Sequence, residues 1–269
     1  MVSKLRGVLR TKRIGHGGTL DPMATGVLPV FVGRATRGVE FFEHAEKTYE
    51  AVLRMGVVTD TEDVSGTVLE ENPVSVTSQQ LQAVLQNFRG EIQQIPPMYS
   101  ALKVNGQKLC DLARKGKEVE RKPRTITVFS LDCLEFSGDK ARLRVHCSKG
   151  TYIRTLCKDI GQALGCGGCM ESLRRVAAGA YTIEEAVPLK DLVESENPES
   201  YLRPVDSMFT QYPQVILTEK QEKRCRNGNA FSIDMAEGTY RAYSQSGEFL
   251  MLAKVEENVM STIKSFFEV

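Results

Sequence analysis

The sequence predicts an α+β fold: a mixed, mainly antiparallel sheet flanked by helices, followed by a small C-terminal β-rich module. Three observations predict it. Lys47 to Val57 and Lys140 to Cys147 alternate apolar and polar residues, the period of a half-buried strand. Leu81, Val84, Leu85 and Phe88, and again Ile153, Leu156, Cys157, Ile160 and Leu164, recur at helical spacing. Thr125–Phe136 and Lys140–Cys147 read as a hairpin around Ser137-Gly-Asp139, an antiparallel pair.

The elements follow in order. Val2, Leu5, Val8 and Leu9 open the chain as an amphipathic helix. A Gly-rich stretch, residues 15–26, comes next, then a short buried strand from Leu28 to Val32 and a helix over 35–44. On the Lys47–Val57 strand, Tyr49, Ala51, Leu53 and Met55 share one face. Thr77 and Gln80 form a capping box ahead of the next helix, which Gly90 is expected to end. Ile95-Pro-Pro-Met98 is a break. Residues 107–115 read as helical and 116–124 as a basic connector. Thr125–Phe136 and Lys140–Cys147 form a hairpin around Ser137-Gly-Asp139, with Leu143, Val145 and Cys147 on one face and Arg142, Arg144 and His146 on the other. The helix beginning at Ile153 closes at Gly165. A strand covers 173–182, and the acidic, Pro-containing stretch 184–204 reads as a linker. A helix near 218–226 and strands near 230–256 make the final module.

Composition bounds the function. The chain has 269 residues, 41% of them hydrophobic and 26% charged, which suits a globular protein with a sizeable core. No apolar run reaches the roughly 18 residues needed to span a bilayer. The basic N-terminus lacks the apolar stretch of a secretory signal, so a cytoplasmic location is expected. Seven cysteines, an odd number without secretory context, are expected to be reduced. The Cys166-Gly-Gly-Cys169 spacing lacks a second ligand pair and reads as a Gly-rich turn after a helix.

Net charge is only +1, but the charge is unevenly spread. Lys103, Lys108, Arg114, Lys115, Lys117, Arg121, Lys122 and Arg124 crowd one segment, and Lys4, Arg6, Arg10, Lys12 and Arg13 another. A basic side on a near-neutral protein suits a phosphate backbone.

"GHGGTLDPMATG", residues 15–26, carries four glycines and one carboxylate, Asp21. No Lys-Ser/Thr pair follows a glycine, so it is not a P-loop. Leu20 and Pro22 break the dinucleotide fingerprint. Two readings remain from these residues alone. One is a structural turn, with Pro22 restricting Asp21 to extended backbone. The other is a mount holding Asp21 at a cleft, with glycines leaving room for a bulky ligand.

The longer stretch "GHGGTLDPMATGVLPV" resembles the catalytic motif of the TruB family of bacterial tRNA pseudouridine-55 synthases. Further segments resemble that family in the same order: Lys47-Thr-Tyr-Glu50, Gly56-Val-Val-Thr-Asp-Thr61, "FRGEIQQIPPMYSALKVNGQKLCDLARKG" (88–116), "HCSKGTYIRTLCKDIG" (146–161) and "LRRVAAGAY" (173–181). The resemblance covers about residues 2–205. It implies a pseudouridine-synthase catalytic domain over 1–205, with an RNA-clamping insertion at about 88–124, and a small PUA-like module over 211–269.

The resemblance also implies a reaction: isomerisation of one uridine in the T-arm loop of tRNA. No redox cofactor and no metal is implied. Asp21 is the expected catalytic carboxylate. Whether it attacks the sugar, attacks the base or stabilises a cationic or glycal-forming route is left open. Burial raises a carboxyl group's pKa and a nearby cation lowers it; Arg154 matches the family arginine that pairs with the aspartate. A flipped-out base needs an aromatic face, and Tyr49 matches the family tyrosine that stacks on it. Tyr152 and Leu173 are expected to line the uracil pocket, and His16 to help hold the flipped-out loop. The expected partner is the tRNA T-arm stem-loop, without guide RNA or membrane, bound by a monomer.

Family members usually start with a strand bearing a Lys-Pro-x-Gly-x-Thr-Ser-like motif, and this sequence starts at Met-Val-Ser-Lys-Leu. Either this start is misassigned or truncated, or the protein lacks the strand, and its loss is expected to expose a sheet edge. Two rival readings follow: a guide-RNA-dependent synthase, against which the 88–124 insertion argues, and a tRNA-binding folding chaperone with weak or no catalysis.

Overall fold

Alternation along the chain becomes one seven-stranded sheet in the computed structural model, which describes residues 1–267. Contacts divide the chain into two compact units. One comprises Thr19–Leu28 and His44–Ala186; the other comprises Met1–Gly18, Pro29–Glu43 and Val187–Val269, described through residue 267. The α+β class is as expected.

In the first of these units the sheet runs in the order Tyr181–Thr182, Gly168–Ala178, Lys47–Met55, Lys140–Cys147, Arg124–Ser137, Gly90–Gln94. Those pairs are antiparallel, and Thr25–Gly26 adds a short parallel pairing to Gly168–Ala178. Tyr49, Ala51, Leu53 and Met55 all face the core, as the alternation predicts, with Leu143, Val145 and Cys147 beside them. Each such fully buried leucine contributes about 1.5–3 kcal/mol. The opposite face carries Arg142, Arg144 and Glu50, with Arg144 donating to Glu50 at 2.6 Å across the strands.

Two helices cover the core face. Ser78–Gln86 has its capping box, with Gln80 N–H donating to Thr77 Oγ1 and Thr77 N–H to Gln80 Oε1. Its end differs from expectation. The helix stops at Gln86 with Asn87 as cap, and Gly90, at φ +83°, opens the edge strand instead. The second helix, Ile153–Ala163, buries Ile153, Leu156, Cys157 and Ile160, and Gly165 follows its Leu164 cap at φ +79°. It crosses the Cys166–Cys169 turn backbone to backbone: a Cβ on Gly161 would lie 2.4 Å from the nitrogen of Gly168. Gly167 N–H donates to the Gly161 carbonyl at 3.0 Å.

This helix also carries Asp159, whose carboxyl is pushed up to about 6, chiefly by burial and further by Glu62, against Lys158. The folded state therefore holds this proton more tightly than the unfolded chain. The cost of ionising it develops as pH rises from about 4 to about 6 and stays in force above. Asp159→Asn is expected to raise the thermal midpoint at pH 7 and leave it unchanged near pH 4; an equal effect at both pH values would refute this.

Other boundaries moved. The strand expected at 173–182 starts earlier, at Gly168, because Gly168 and Cys169 pair with Met55 and Arg54. The helix expected over 107–115 is only Leu109–Ala113. Lys103–Val104 and Gln107–Lys108 precede it as a small hairpin, turned by Asn105 and Gly106 at φ +51° and +80°.

The other unit pairs Ile14–His16 with Val30–Val32. Leu5, Leu9 and Ile14 pack against Val30, Val32 and Leu192. The strand at Ile14–His16 overlaps the start of the Gly-rich stretch 15–26, where no strand was expected. Residues 33–42 form a 3-10 helix rather than an α-helix; Gly33 and Gly38 lower α propensity and Thr36 Oγ1 bonds back to the Gly33 carbonyl at 2.7 Å. The acidic stretch after 184 holds a short helix, Leu189–Glu194, and a 3-10 turn at Pro198–Tyr201. A five-stranded sheet completes the unit in the order Gln214–Ile216, Gly238–Tyr243, Phe249–Glu256, Val259–Ser265, Phe231–Ser232, with the Glu219–Arg226 helix beside it. Leu217, Tyr240, Leu250, Met251 and Val255 fill its core.

Candidate active site

Asp21 sits on the Thr19–Leu28 loop, which is anchored at several points. Leu20, Met23 and Ala24 pack on the main core. The Asp21 carbonyl accepts from Ala24 N–H at 2.9 Å, and Val27 N–H donates to the Arg175 carbonyl at 2.8 Å. Gly26 makes that last approach possible: its φ is +101°, and a Cβ there would meet the Arg175 carbonyl oxygen at 2.1 Å. Gly26→Ala is expected to destabilise the protein by more than about 1 kcal/mol and to slow any reaction that uses Asp21. A variant with the wild-type melting midpoint would contradict this.

Arg154 is the second residue of the Ile153–Ala163 helix and is buried, 5% exposed. It makes a bidentate pair with Asp21: Nε donates to Oδ2 at 2.9 Å and a terminal nitrogen to Oδ1 at 3.1 Å. The remaining donors go to the carbonyls of Thr61, at 3.0 Å, and Tyr99, at 2.8 Å. Such a fork fixes the orientation of a carboxylate as well as attracting it. The Asp21 side chain keeps 32% exposure, so the carboxylate oriented by the pair stays accessible from outside.

A second carboxylate stands behind the guanidinium. Asp63 Oδ2 lies 3.7 Å from Arg154 Nε, and Asp63 is 5% exposed. Asp63 accepts from Thr61 Oγ1 at 2.8 Å and from Ser65 N–H at 2.9 Å. Its neighbour Glu62 adopts φ +65° and is also buried. Glu62 accepts from Thr155 Oγ1 and, at 2.6 Å, from Lys158 Nζ, which locks the turn onto the helix bearing Arg154. Met170 N–H donates to the Glu62 carbonyl at 3.0 Å, tying the same turn to the sheet. Sequence reasoning did not single out Glu62 or Asp63. The available signal was the polar run from Asp60 to Gly66, between the short strands Val57–Thr59 and Val68–Glu71.

Tyr49 is 9% exposed and lies in register with Val145 on one side and Arg175 on the other. Burial pushes its phenol up, and the Arg175 guanidinium opposes that shift. Tyr152 caps the Arg154 helix; its N–H donates to Gln94 Oε1 at 2.8 Å and its carbonyl accepts from Gln94 Nε2 at 3.0 Å. Burial pushes its phenol up too. Leu173 is 7% exposed, faces the core and pairs with Ala51. Asp21, Tyr49, Tyr152, Arg154 and Leu173 thus belong to one unit. His16 belongs to the other, at the end of the Ile14–His16 strand, where its buried Nδ1 is among the described polar atoms that lack a hydrogen-bond partner.

The Arg154–Asp21 pair is the contact that the sequence resemblance to the TruB family led one to expect. Residues 6–153 match the model of the TruB family pseudouridylate synthase N-terminal domain, and residues 154–210 match the tRNA pseudouridylate synthase B C-terminal domain. Similar curated proteins are named tRNA pseudouridine synthase B. That of Clostridium kluyveri is 40% identical, covering 99% of this chain and 94% of its own. That of Stutzerimonas stutzeri is 44% identical over 96% and 87%, and that of Dechloromonas aromatica 45% over 91% and 83%. Among solved structures, a Cbf5-Nop10-Gar1 complex superposes with a TM-score of 0.72 at 26% identity, covering 99% of this chain and 80% of that one. An H/ACA RNP bound to a substrate RNA containing 2'-deoxyuridine gives 0.72 at 24% identity, over the same shares, a likeness of fold. The chain belongs to the TruB family.

Proposed function

We propose that this protein is a tRNA pseudouridine synthase that isomerises the T-arm loop uridine at position 55, with Asp21 as the reacting carboxylate. The observation that carries this reading is the bidentate Arg154–Asp21 pair, formed on a chain whose relatives are named tRNA pseudouridine synthase B. In the reaction the N1–C1' glycosidic bond breaks, the uracil turns, and a C5–C1' bond forms as the proton on C5 leaves to solvent and N1 takes up a proton in its place. The product has the atoms of the substrate.

Each expected site residue has a task suited to its chemistry. Asp21 meets the sugar or base as an oriented anion. Arg154 holds that anion in place against a poorly solvated surrounding. A uridine cannot react while stacked in its loop, so it is flipped out, and the Tyr49 ring supplies a face worth about 1–3 kcal/mol. Tyr152 and Leu173 close the pocket around the uracil. His16 helps hold the loop from which the base has left. The basic segment within 88–124 clamps RNA by its phosphates, which fixes position without reading sequence.

Residues 1–205 serve as the catalytic domain and 211–269 as an RNA-binding-like module. The enzyme works on tRNA alone, as a cytoplasmic monomer without guide RNA. The chaperone reading is not favoured, because the relatives are named as synthases over nearly the whole chain.

Stem-loop RNA tritiated at uridine C5 tests the assignment. The chain is expected to release tritium from a T-arm stem-loop and to leave an anticodon stem-loop untouched. Tight binding of the T-arm without release would refute it.

A further inference from the structure

One buried cation has no part in the function just described. Arg175 lies on the Gly168–Ala178 strand, is 1% exposed and is among the largest fully buried side chains. Burying a guanidinium is costly unless its donors are met. Its Nε donates to the Val27 carbonyl at 2.7 Å, and its own carbonyl accepts from Val27 N–H at 2.8 Å. Val27 follows the Thr25–Gly26 segment, whose parallel pairing with Arg174 and Arg175 anchors the Asp21 loop. On the other side Arg175 is the direct register partner of Tyr49, and its guanidinium hydrogen-bonds the Tyr49 hydroxyl.

We propose that Arg175 is a positioning residue: one buried guanidinium ties the loop carrying Asp21 to the hydroxyl of Tyr49, so that carboxylate and aromatic ring keep a single spacing. The inference rests on the reading of Asp21 and Tyr49 as site residues. Geometry explains why an arginine stands here. A planar fork can bond a carbonyl and a phenol at once, in fixed directions, whereas an ammonium on a flexible stem cannot hold both. An apolar residue of similar volume would fill the space without the desolvation cost. It would leave the loop and the ring free to drift apart.

Three titratable or charged groups act on the Tyr49 phenol from the elements around it: Arg175 on one neighbouring strand, Cys147 on the other and Asp21 on the loop. Burial raises the phenol, and Cys147 and Asp21 raise it further. Among these three, only Arg175 lowers it.

The test uses the full chain labelled with 3-fluorotyrosine, whose more acidic phenol titrates within reach. The Tyr49 fluorine resonance is assigned by its loss in Tyr49→Phe. Arg175→Met is expected to move the Tyr49 titration to higher pH. It should also lower kcat for tritium release roughly 10- to 100-fold, with KM for the stem-loop held within a factor of about two. Arg175→Lys is expected to restore the titration but only part of kcat, because the charge returns without the fork. If Arg175→Met does not fold, Arg175→Lys decides alone: a wild-type kcat overturns the proposal. A lowered melting temperature with an unmoved Tyr49 titration also overturns it and leaves Arg175 a structural cation. A wild-type chain that releases no tritium instead refutes the synthase reading, while the fluorine titration still reports on the tie.

Discussion

Asp21→Asn is expected to abolish tritium release from the T-arm stem-loop, a loss of at least about 10³-fold in kcat. The amide has the shape of the carboxylate but neither its charge nor its nucleophilicity. Arg154 keeps Asp63 at 3.7 Å and the Thr61 and Tyr99 carbonyls, so the pocket retains partners for its guanidinium. The fold should survive, and the melting temperature checks that. RNA affinity should change little, since phosphate contacts dominate it. Gel shifts on the same stem-loop measure this. Release at a rate near wild type in Asp21→Asn would remove Asp21 from the chemistry.

Arg154→Met is expected to damage both activity and stability. The side chain is buried and serves two carboxylates and two carbonyls. Removing it leaves Asp63 buried opposite an apolar group, a change that costs about 3–5 kcal/mol. For a chain of this size that lowers the melting temperature by about 10 °C. Turnover should fall at least as far as in Asp21→Asn. Arg154→Lys restores a charge but not the fork, so it should recover stability more than rate. A lysine variant with full activity would show that charge alone suffices and that the bidentate geometry is incidental.

What the sequence made legible follows from the range of the forces involved. Tyr49 to Met55 and Arg142 to Cys147 declare their strand by alternation, because one face is buried along the whole length. Thr77 and Gln80 declare a helix start because the cap is local. The edge strand Gly90–Gln94 and the strand Ile14–His16 are set by partners elsewhere in the sequence, and nothing in their own residues announces them. Gly168 is a poor strand former, and it joins the strand with Cys169 because Met55 and Arg54 lie opposite. The site divides similarly. Asp21, Tyr49 and Arg154 were singled out by resemblance to a family's motifs, not by periodicity. Asp63 escaped because its importance comes from a guanidinium some ninety residues later in the chain, a relation that no local pattern encodes. Arg175 escaped for the opposite reason: a strand arginine reads as a solvent-facing one, and here it is turned inward by the loop that crosses it.

The crossing of Gly161 over Gly167 and Gly168 joins the helix of Arg154 to the strand of Leu173 through main chain alone. Side chains elsewhere in the core can change size and slide their neighbours by fractions of an ångström. This joint has no side chain to change. At this crossing the spacing between the arginine and the wall of the pocket is therefore buffered against mutational drift in the surrounding core, and the glycines that form it are positions the backbone itself polices.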